Sequence, residues 1–93
     1  MRSRDRTREE WLAALTRDVR SSSRVGYRDL AAALRAAIVS GEVPVGTRLP
    51  PQRELARLLS IGRTTVVGAY NLLSAESLIV VRQGAGTWVA RRP

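Results

Sequence analysis

Arginine is the residue type with the greatest capacity for molecular recognition in this sequence. All 16 positively charged side chains of the 93-residue chain are arginines, and they face only 8 acidic residues, so the net charge is +8. A guanidinium group can donate two parallel hydrogen bonds to a phosphate or a guanine edge, which lysine cannot match. A GC-rich genome also encodes abundant arginine, so composition alone leaves both explanations open. The charge favours an anionic polymer as partner, most often nucleic acid, ahead of a membrane surface.

The side chains that could contact such a polymer fall into three short groups. They are Arg53 and Arg57, the run Arg63-Thr64-Thr65, and the run Arg82-Gln83-Gly84. Arginine can bind O6 and N7 of guanine, while the threonine methyl can meet thymine and its hydroxyl can reach a phosphate. Each residue also has a plain structural explanation, as a solvated arginine, a helix-start threonine or a turn glycine. Only the order of the three groups along the chain can therefore distinguish a role in DNA contact from a purely structural one.

Several kinds of chemistry are excluded by composition. The chain has no cysteine and no histidine, which removes zinc fingers, disulfides, thiol nucleophiles and histidine-based metal or acid–base sites. The four acidic residues of segment 25–93 are scattered and form no nucleophile–base pair, so we predict that the chain is not an enzyme. Apolar runs are only a few residues long and the basic N-terminus lacks the apolar stretch of a signal peptide, which predicts a cytoplasmic protein with no membrane partner. The missing cysteine and histidine predict no metal, and we expect no cofactor in this chain.

Hydrophobic periodicity predicts the elements that position the three groups. Apolar residues at spacings of three and four predict helices at about 8–20, 26–40, 51–59 and 63–75. Residues 42–47 predict a turn. Two β-branched runs at 78–81 and 87–90, separated by a turn with two glycines, predict a β-hairpin in which Trp88 closes onto the helices as part of the core.

This order predicts a mainly α fold with a small β-hairpin, which is a winged helix-turn-helix with one extra N-terminal helix. We divide the chain into an N-terminal basic segment with a short amphipathic helix, 1–24, and a winged-helix domain, 25–93. In such a domain the second helix of the pair lies in the DNA major groove, and its first residues meet base edges. The sequence therefore predicts double-stranded DNA as the partner, with helix 63–75 in the major groove and the wing, 82–87, at the minor groove.

A protein-interaction or assembly module with only non-specific DNA affinity is the second hypothesis. Its working surface would be the 8–20 helix, whose narrow apolar stripe contains Leu12, Leu15 and Val19. A stripe of this kind must dock either on the chain's own domain or on a partner.

Five runs of residues occur in an order typical of one known family. They are Leu-Arg-Ala-Ala-Ile-Val-Ser-Gly at 34–41, Pro-Val-Gly-Thr-Arg-Leu-Pro at 44–50, Gln-Arg-Glu-Leu-Ala at 52–56, Arg-Thr-Thr-Val at 63–66 and Arg-Gln-Gly-Ala-Gly-Thr-Trp-Val at 82–89. With these runs, the stretch from Tyr27 to Val89 resembles the DNA-binding domain of GntR-type bacterial transcription regulators. The resemblance implies operator binding, with contacts from Arg53, Arg63, Thr64, Thr65, Gln83 and Gly84.

The sequence departs from this family's usual pattern at two places. Many members carry a basic residue where Val67 stands, so base choice or affinity should differ here. The turn before the second helix usually reads Gly-Val-Ser, whereas this chain has Ser60-Ile61-Gly62. Gly62 can begin a helix but offers no side-chain oxygen to cap it.

The run Val-Val-Gly-Ala-Tyr-Asn-Leu-Leu at 66–73 and the Gly-Thr-Trp-Val at 86–89 resemble the MocR branch of the family. In that branch a linker joins the winged helix to an aminotransferase-like domain that binds pyridoxal phosphate. The resemblance thus implies that this chain is either the DNA-binding part of such a longer regulator or a stand-alone remnant of one. A homodimer through such a domain is a further partner that the resemblance allows. This chain has no lysine, so it could not hold pyridoxal phosphate as a Schiff base itself.

Overall fold

The fold is given by a computed structural model that describes residues 8–20, 26–82 and 84–90. Its elements are α1 (Arg8–Arg20), α2 (Tyr27–Ser40), β1 (Arg48–Leu49), α3 (Gln52–Leu59), α4 (Arg63–Ala75), β2 (Ile79–Arg82) and β3 (Gly86–Val89). The four predicted helices are confirmed, each within one residue at either end. The architecture is the predicted winged helix-turn-helix with one additional helix at its N-terminal side.

Helices α2 and α4 form the centre of the hydrophobic core. Leu30 and Leu34 of α2 and Val66 of α4 are buried, which matches their helical spacing. Tyr70 of α4 is also buried, and its hydroxyl donates a 2.7 Å hydrogen bond to the carbonyl of Pro50. This bond satisfies the buried hydroxyl and fixes α4 to the segment that leads into α3.

Helix α1 belongs to the same core. Trp11, Leu15 and Val19 are buried in one hydrophobic cluster with residues of α2, α3 and α4, while Leu12 is partly buried against it. The apolar side of α1 is therefore covered by the chain's own domain. None of the helices in the described ranges is long and apolar enough to cross a membrane.

The sheet has one strand more than the predicted hairpin. Its order is β1-β3-β2, with antiparallel pairing throughout, so β3 is the central strand. The flanking backbone extends the β1–β3 pairing, since the N–H of Gly46 donates to the carbonyl of Val89 and the N–H of Val89 donates to that of Thr47, both at 2.9 Å. A two-residue strand has no periodic signature, so only its tertiary pairing reveals it.

Trp88 is not in the core, which corrects the prediction. Successive side chains of a strand point to opposite faces. Thr87 and Val89 are buried against the helices, so Trp88 between them lies on the outer face of the sheet and is half-buried. The guanidinium carbon of Arg48 lies 5.6 Å from the centroid of the Trp88 ring on that face.

Candidate nucleic-acid interface

The turn between α3 and α4 sets the position of the second helix of the pair. Ser60 ends α3 with φ 58° and ψ 45°, in the left-handed region where a side chain costs about 1 kcal/mol relative to glycine. The N–H of Ile61 donates a 3.0 Å bond to the carbonyl of Ala56, so the chain reverses tightly here. Gly62 then begins α4 with no side-chain cap, as predicted. The non-standard turn therefore keeps the three-residue connection between the two helices.

The first turn of α4 presents one side to solvent and anchors the other in the core. Arg63 and Thr64 are exposed, Thr65 is half-buried, and Val66 is fully buried. Val67 is half-buried and has no polar atom on its side chain. The beginning of a helix also favours an anion, through its backbone N–H groups and the helix dipole. Arg63 and Thr64 are thus held on a rigid element and remain accessible to a ligand.

Arginines from both helices of the pair line a single surface groove. Arg53 and Arg57 are four residues apart on α3, so they share one face, while Leu55 of the same helix is buried. The groove is lined by Arg53, Arg57 and Arg63 together with Pro51, Gln52 and Glu54. Three of the predicted contact residues therefore meet in one place, and the local charge is positive.

The hairpin forms a second groove that adjoins the first. Arg82 and Gly84 are exposed and line it, and Gly84 has φ 78°, a conformation that favours glycine. Pro51 and Gln52 line both grooves, so the surface continues from the helix pair to the wing. The predicted contact residue Gln83 lies outside the described residues.

Arg48 is a basic residue of this surface that sequence reasoning missed. It is exposed on β1 and lines the groove beside the wing. Its Nη2 donates a 2.9 Å hydrogen bond to the carbonyl of Ala85 in the wing. In the sequence it is one arginine beside a predicted turn, and no spacing rule links it to residues 37 positions away.

Two contacts between α2 and the region of α4 hold α4 in place. The guanidinium of Arg35 makes paired hydrogen bonds of 2.8 and 2.7 Å to the carboxylate of Glu76, just beyond the end of α4. These bonds lower the pKa of Glu76 below its ordinary value. At Gly68, an added Cβ would lie only 2.9 Å from both Cβ and Cγ of Tyr27, so glycine permits the close approach of the two helices.

The fold and this surface define a winged helix-turn-helix domain, and comparison with known proteins gives its family. The family model for bacterial regulatory proteins of the gntR family matches residues 26–89. The chain therefore belongs to the GntR family.

Two relatives illustrate the similarity. The chain is 45% identical over 67 residues to the Probable rhizopine catabolism regulatory protein MocR of Rhizobium meliloti, a match that covers 72% of this chain and 14% of the relative. It is 38% identical over 69 residues to the Uxu operon transcriptional regulator of Escherichia coli, covering 74% of this chain and 27% of the relative. The chain thus spans a small part of the length of these relatives.

Solved structures share the fold. YtrA from Sulfolobus acidocaldarius, a GntR-family transcription factor, superimposes with a TM-score of 0.70 at 35% identity, over 77% of this chain and 76% of that one. AraR(DBD) in complex with operator ORX1 superimposes with a TM-score of 0.64 at 26% identity, over 69% of this chain and 77% of that one. That second structure contains a domain of this fold bound to its operator.

Proposed function

We propose that this chain is the DNA-binding domain of a bacterial transcription regulator and that it binds double-stranded DNA sequence-specifically. The observation that carries the proposal is the meeting of Arg53, Arg57 and Arg63 in one groove beside the exposed first turn of α4. Three guanidinium groups in one concave surface suit the closely spaced phosphates and guanine edges of a duplex.

Each group on this surface has its own role in the proposal. The first turn of α4 enters the major groove, where Arg63 binds a guanine edge and Thr64 and Thr65 contact a base methyl group or a phosphate. Arg53 and Arg57 bind phosphates and fix the register of the domain on the duplex. The wing, with Arg82, Gln83 and Gly84, meets the adjacent minor groove.

Family membership supports the same conclusion. The relatives are regulators by name, and AraR(DBD) has been solved with operator DNA. An assembly role for the 8–20 helix has no comparable support, because Leu15 and Val19 are buried within the domain itself. Binding to chromosomal DNA would place the protein in the cytoplasm.

The similarity to MocR, of which the match covers 14%, supports a place for this domain in a longer regulator, and we propose that this regulator is a homodimer. The MocR resemblance implies an aminotransferase-like domain with pyridoxal phosphate. This chain contains no lysine that could form the Schiff base, so its own residues do not fit that cofactor. Any pyridoxal phosphate would be held by another domain, and the activity of this chain is not enzymatic.

Selection of binding sites from a random duplex library tests the proposal. The selected duplex and a scrambled duplex of the same composition are then compared by fluorescence anisotropy at a fixed salt concentration. We expect the selected duplex to bind about tenfold tighter or better, a difference of roughly 1.4 kcal/mol. Equal affinity for the two duplexes would mean that the domain binds DNA only through its charge.

A further inference from the structure

Arg48 of the edge strand β1 contacts both the central strand β3 and the turn between β2 and β3. In the β1–β3 register it lies opposite Trp88, and its guanidinium carbon lies 5.6 Å from the centroid of the indole ring. The same guanidinium reaches the tip of the wing, where Nη2 donates its 2.9 Å bond to the carbonyl of Ala85. One side chain thus connects an edge strand, the central strand and the wing.

Gly86 provides the space that this guanidinium occupies. A Cβ added at Gly86 would lie 2.8 Å from Nε and 3.1 Å from Nη2 of Arg48. Gly86 also has φ 138°, which a side chain would strain. The wing backbone and the arginine are therefore fitted to each other at this position.

The bond from Arg48 completes the restraint of Ala85. The N–H of Ala85 donates 2.9 Å to the carbonyl of Arg82, which closes the turn from within. Its carbonyl receives Arg48 from outside the hairpin. Both the N–H and the carbonyl of Ala85 are therefore engaged, and Ala85 lines the same groove as Arg82 and Gly84.

We propose that Arg48 is a positioning residue that orders the wing before DNA arrives. A binding loop that is already ordered loses less conformational entropy on association, so the bond should strengthen binding without reading a base itself. The guanidinium carbon lies within cation–π distance of Trp88 while Nη2 donates to Ala85, so different atoms of one group make the two contacts. In lysine a single nitrogen would have to make both. The effect on DNA rests on the function proposed above, but the ordering of the wing does not.

The ordering is tested on the free protein by backbone ¹⁵N relaxation. In Arg48→Lys, which keeps the charge, we expect the order parameters of Gly84, Ala85 and Gly86 to fall from rigid values of about 0.85 to below about 0.6. Trp88→Phe keeps an aromatic ring and should preserve the order, whereas Trp88→Leu should lose it. Unchanged order parameters in Arg48→Lys would overturn the proposal.

A matched control comes from the start of α2. The guanidinium carbon of Arg28 lies 5.6 Å from the centroid of the Tyr27 ring, which is the same distance as in the Arg48–Trp88 pair. Arg28→Lys therefore makes the same change to an arginine–aromatic pair on another element. We expect it to leave the order of the wing unchanged, and a loss of order there would mean that the effect is not specific to Arg48.

The consequence for DNA is measured on the selected duplex. We expect Arg48→Lys to weaken binding by about three- to tenfold, while the base preference read by α4 stays the same. Full wild-type affinity in Arg48→Lys would show that only the positive charge matters and would overturn the positioning role in binding. If the wild-type chain shows no preference for any duplex, the proposed function fails, while the relaxation experiment still decides the ordering.

Discussion

At the scale of single residues, the arginines of the interface differ in the helix that carries each of them. Arg63 stands at the start of α4, where the first residues of a second helix meet base edges. Arg53 stands on α3, the first helix of the pair, which in a helix-turn-helix crosses the DNA backbone. Substitution of these two residues, which share type and charge, is therefore expected to change DNA binding in different ways.

Replacing Arg63 with alanine should reduce discrimination at one base pair. The loss of a bidentate contact to guanine corresponds to about 1–3 kcal/mol between the preferred base pair and its alternatives. Competition binding with single-base-pair variants of the selected duplex measures this difference. Arg17→Ala is the control, because it removes the same charge from an exposed position on α1. An unchanged preference at every base pair would rule out base readout by Arg63.

Replacing Arg53 with alanine should instead weaken binding evenly across sequences. A lost phosphate contact releases one fewer counterion, so the slope of log affinity against log salt should fall by about one unit. Titrations at four or five salt concentrations give the slope. If Arg53→Ala and wild-type protein have the same slope, Arg53 does not contact a phosphate.

At the scale of elements, the position of α4 depends on how closely α2 packs against it. At Gly68 the two helices are so close that Tyr27 fills the space that a side chain would need. Glycine within a helix costs about 1 kcal/mol relative to alanine, so this position gives up helix propensity for packing.

Gly68→Ala should therefore destabilise the domain although alanine is the better helix former. Overpacking against Tyr27 costs about 1–3 kcal/mol, which outweighs the gain in propensity of about 1 kcal/mol. Urea unfolding measures the net loss. In a Tyr27→Ala background the clash is absent, so the same substitution should become neutral or stabilising. A gain in stability in the wild-type background would contradict the close packing.

The packing of α1 into the core predicts a large contribution of this helix to the stability of the domain. Trp11 has an exposed fraction of 3% and lies in the common core. Trp11→Ala should lower the free energy of unfolding by about 3–5 kcal/mol, a large share of the stability of a domain of this size. Arg17→Ala, on the exposed side of the same helix, should change it little. A small effect of Trp11→Ala on urea unfolding would mean that α1 is not part of the folding unit.

At the scale of the whole molecule, the arginines behind the net charge of +8 have different roles. Arg35 is engaged with Glu76 on the α2–α4 side, and Arg48 is engaged with the wing. Arg53, Arg57 and Arg63 converge on the groove. Positive charge elsewhere adds non-specific attraction to DNA, whereas the groove concentrates it where a duplex can be read.

The pair of Arg35 and Glu76 should make stability depend on pH. Because the pKa of Glu76 is lowered in the folded state, its contribution is present above its ordinary value of 4.5 and is lost as the pH falls through the folded-state value. Glu76→Gln should therefore be less stable than wild-type protein at neutral pH, and the difference should disappear in acid. Thermal unfolding from pH 3 to pH 7 measures it, with Arg35→Gln as the partner variant. A difference that stays constant over this range would exclude the ion pair as its source.

Local patterns were sufficient for the helices and for the positions of most of the candidate contact residues. The helices were predictable because Leu30, Leu34, Val66 and Tyr70 repeat at the helical period, and a buried face imposes that period on any sequence. Arg53, Arg57 and Arg63 lie together because of their places on those helices, and their contacts with DNA stay a prediction. The sequence also predicted that Gly62 begins a helix without a side-chain cap, because glycine has no side-chain oxygen.

Contacts between distant parts of the chain determined three features that no local pattern predicts: strand β1, the outward position of Trp88 and the position of Arg48. The strand β1 is only two residues long, and it exists because β3 offers it hydrogen-bond partners. Trp88 looks like a core residue by type, but the register of β3 turns it outward. Arg48 gains its position from Ala85, 37 residues away.

By itself the sequence determined the helices and their basic residues, since periodicity is local. Only the tertiary structure decided how the wing is held, since pairing and side-chain direction depend on residues that no local pattern connects.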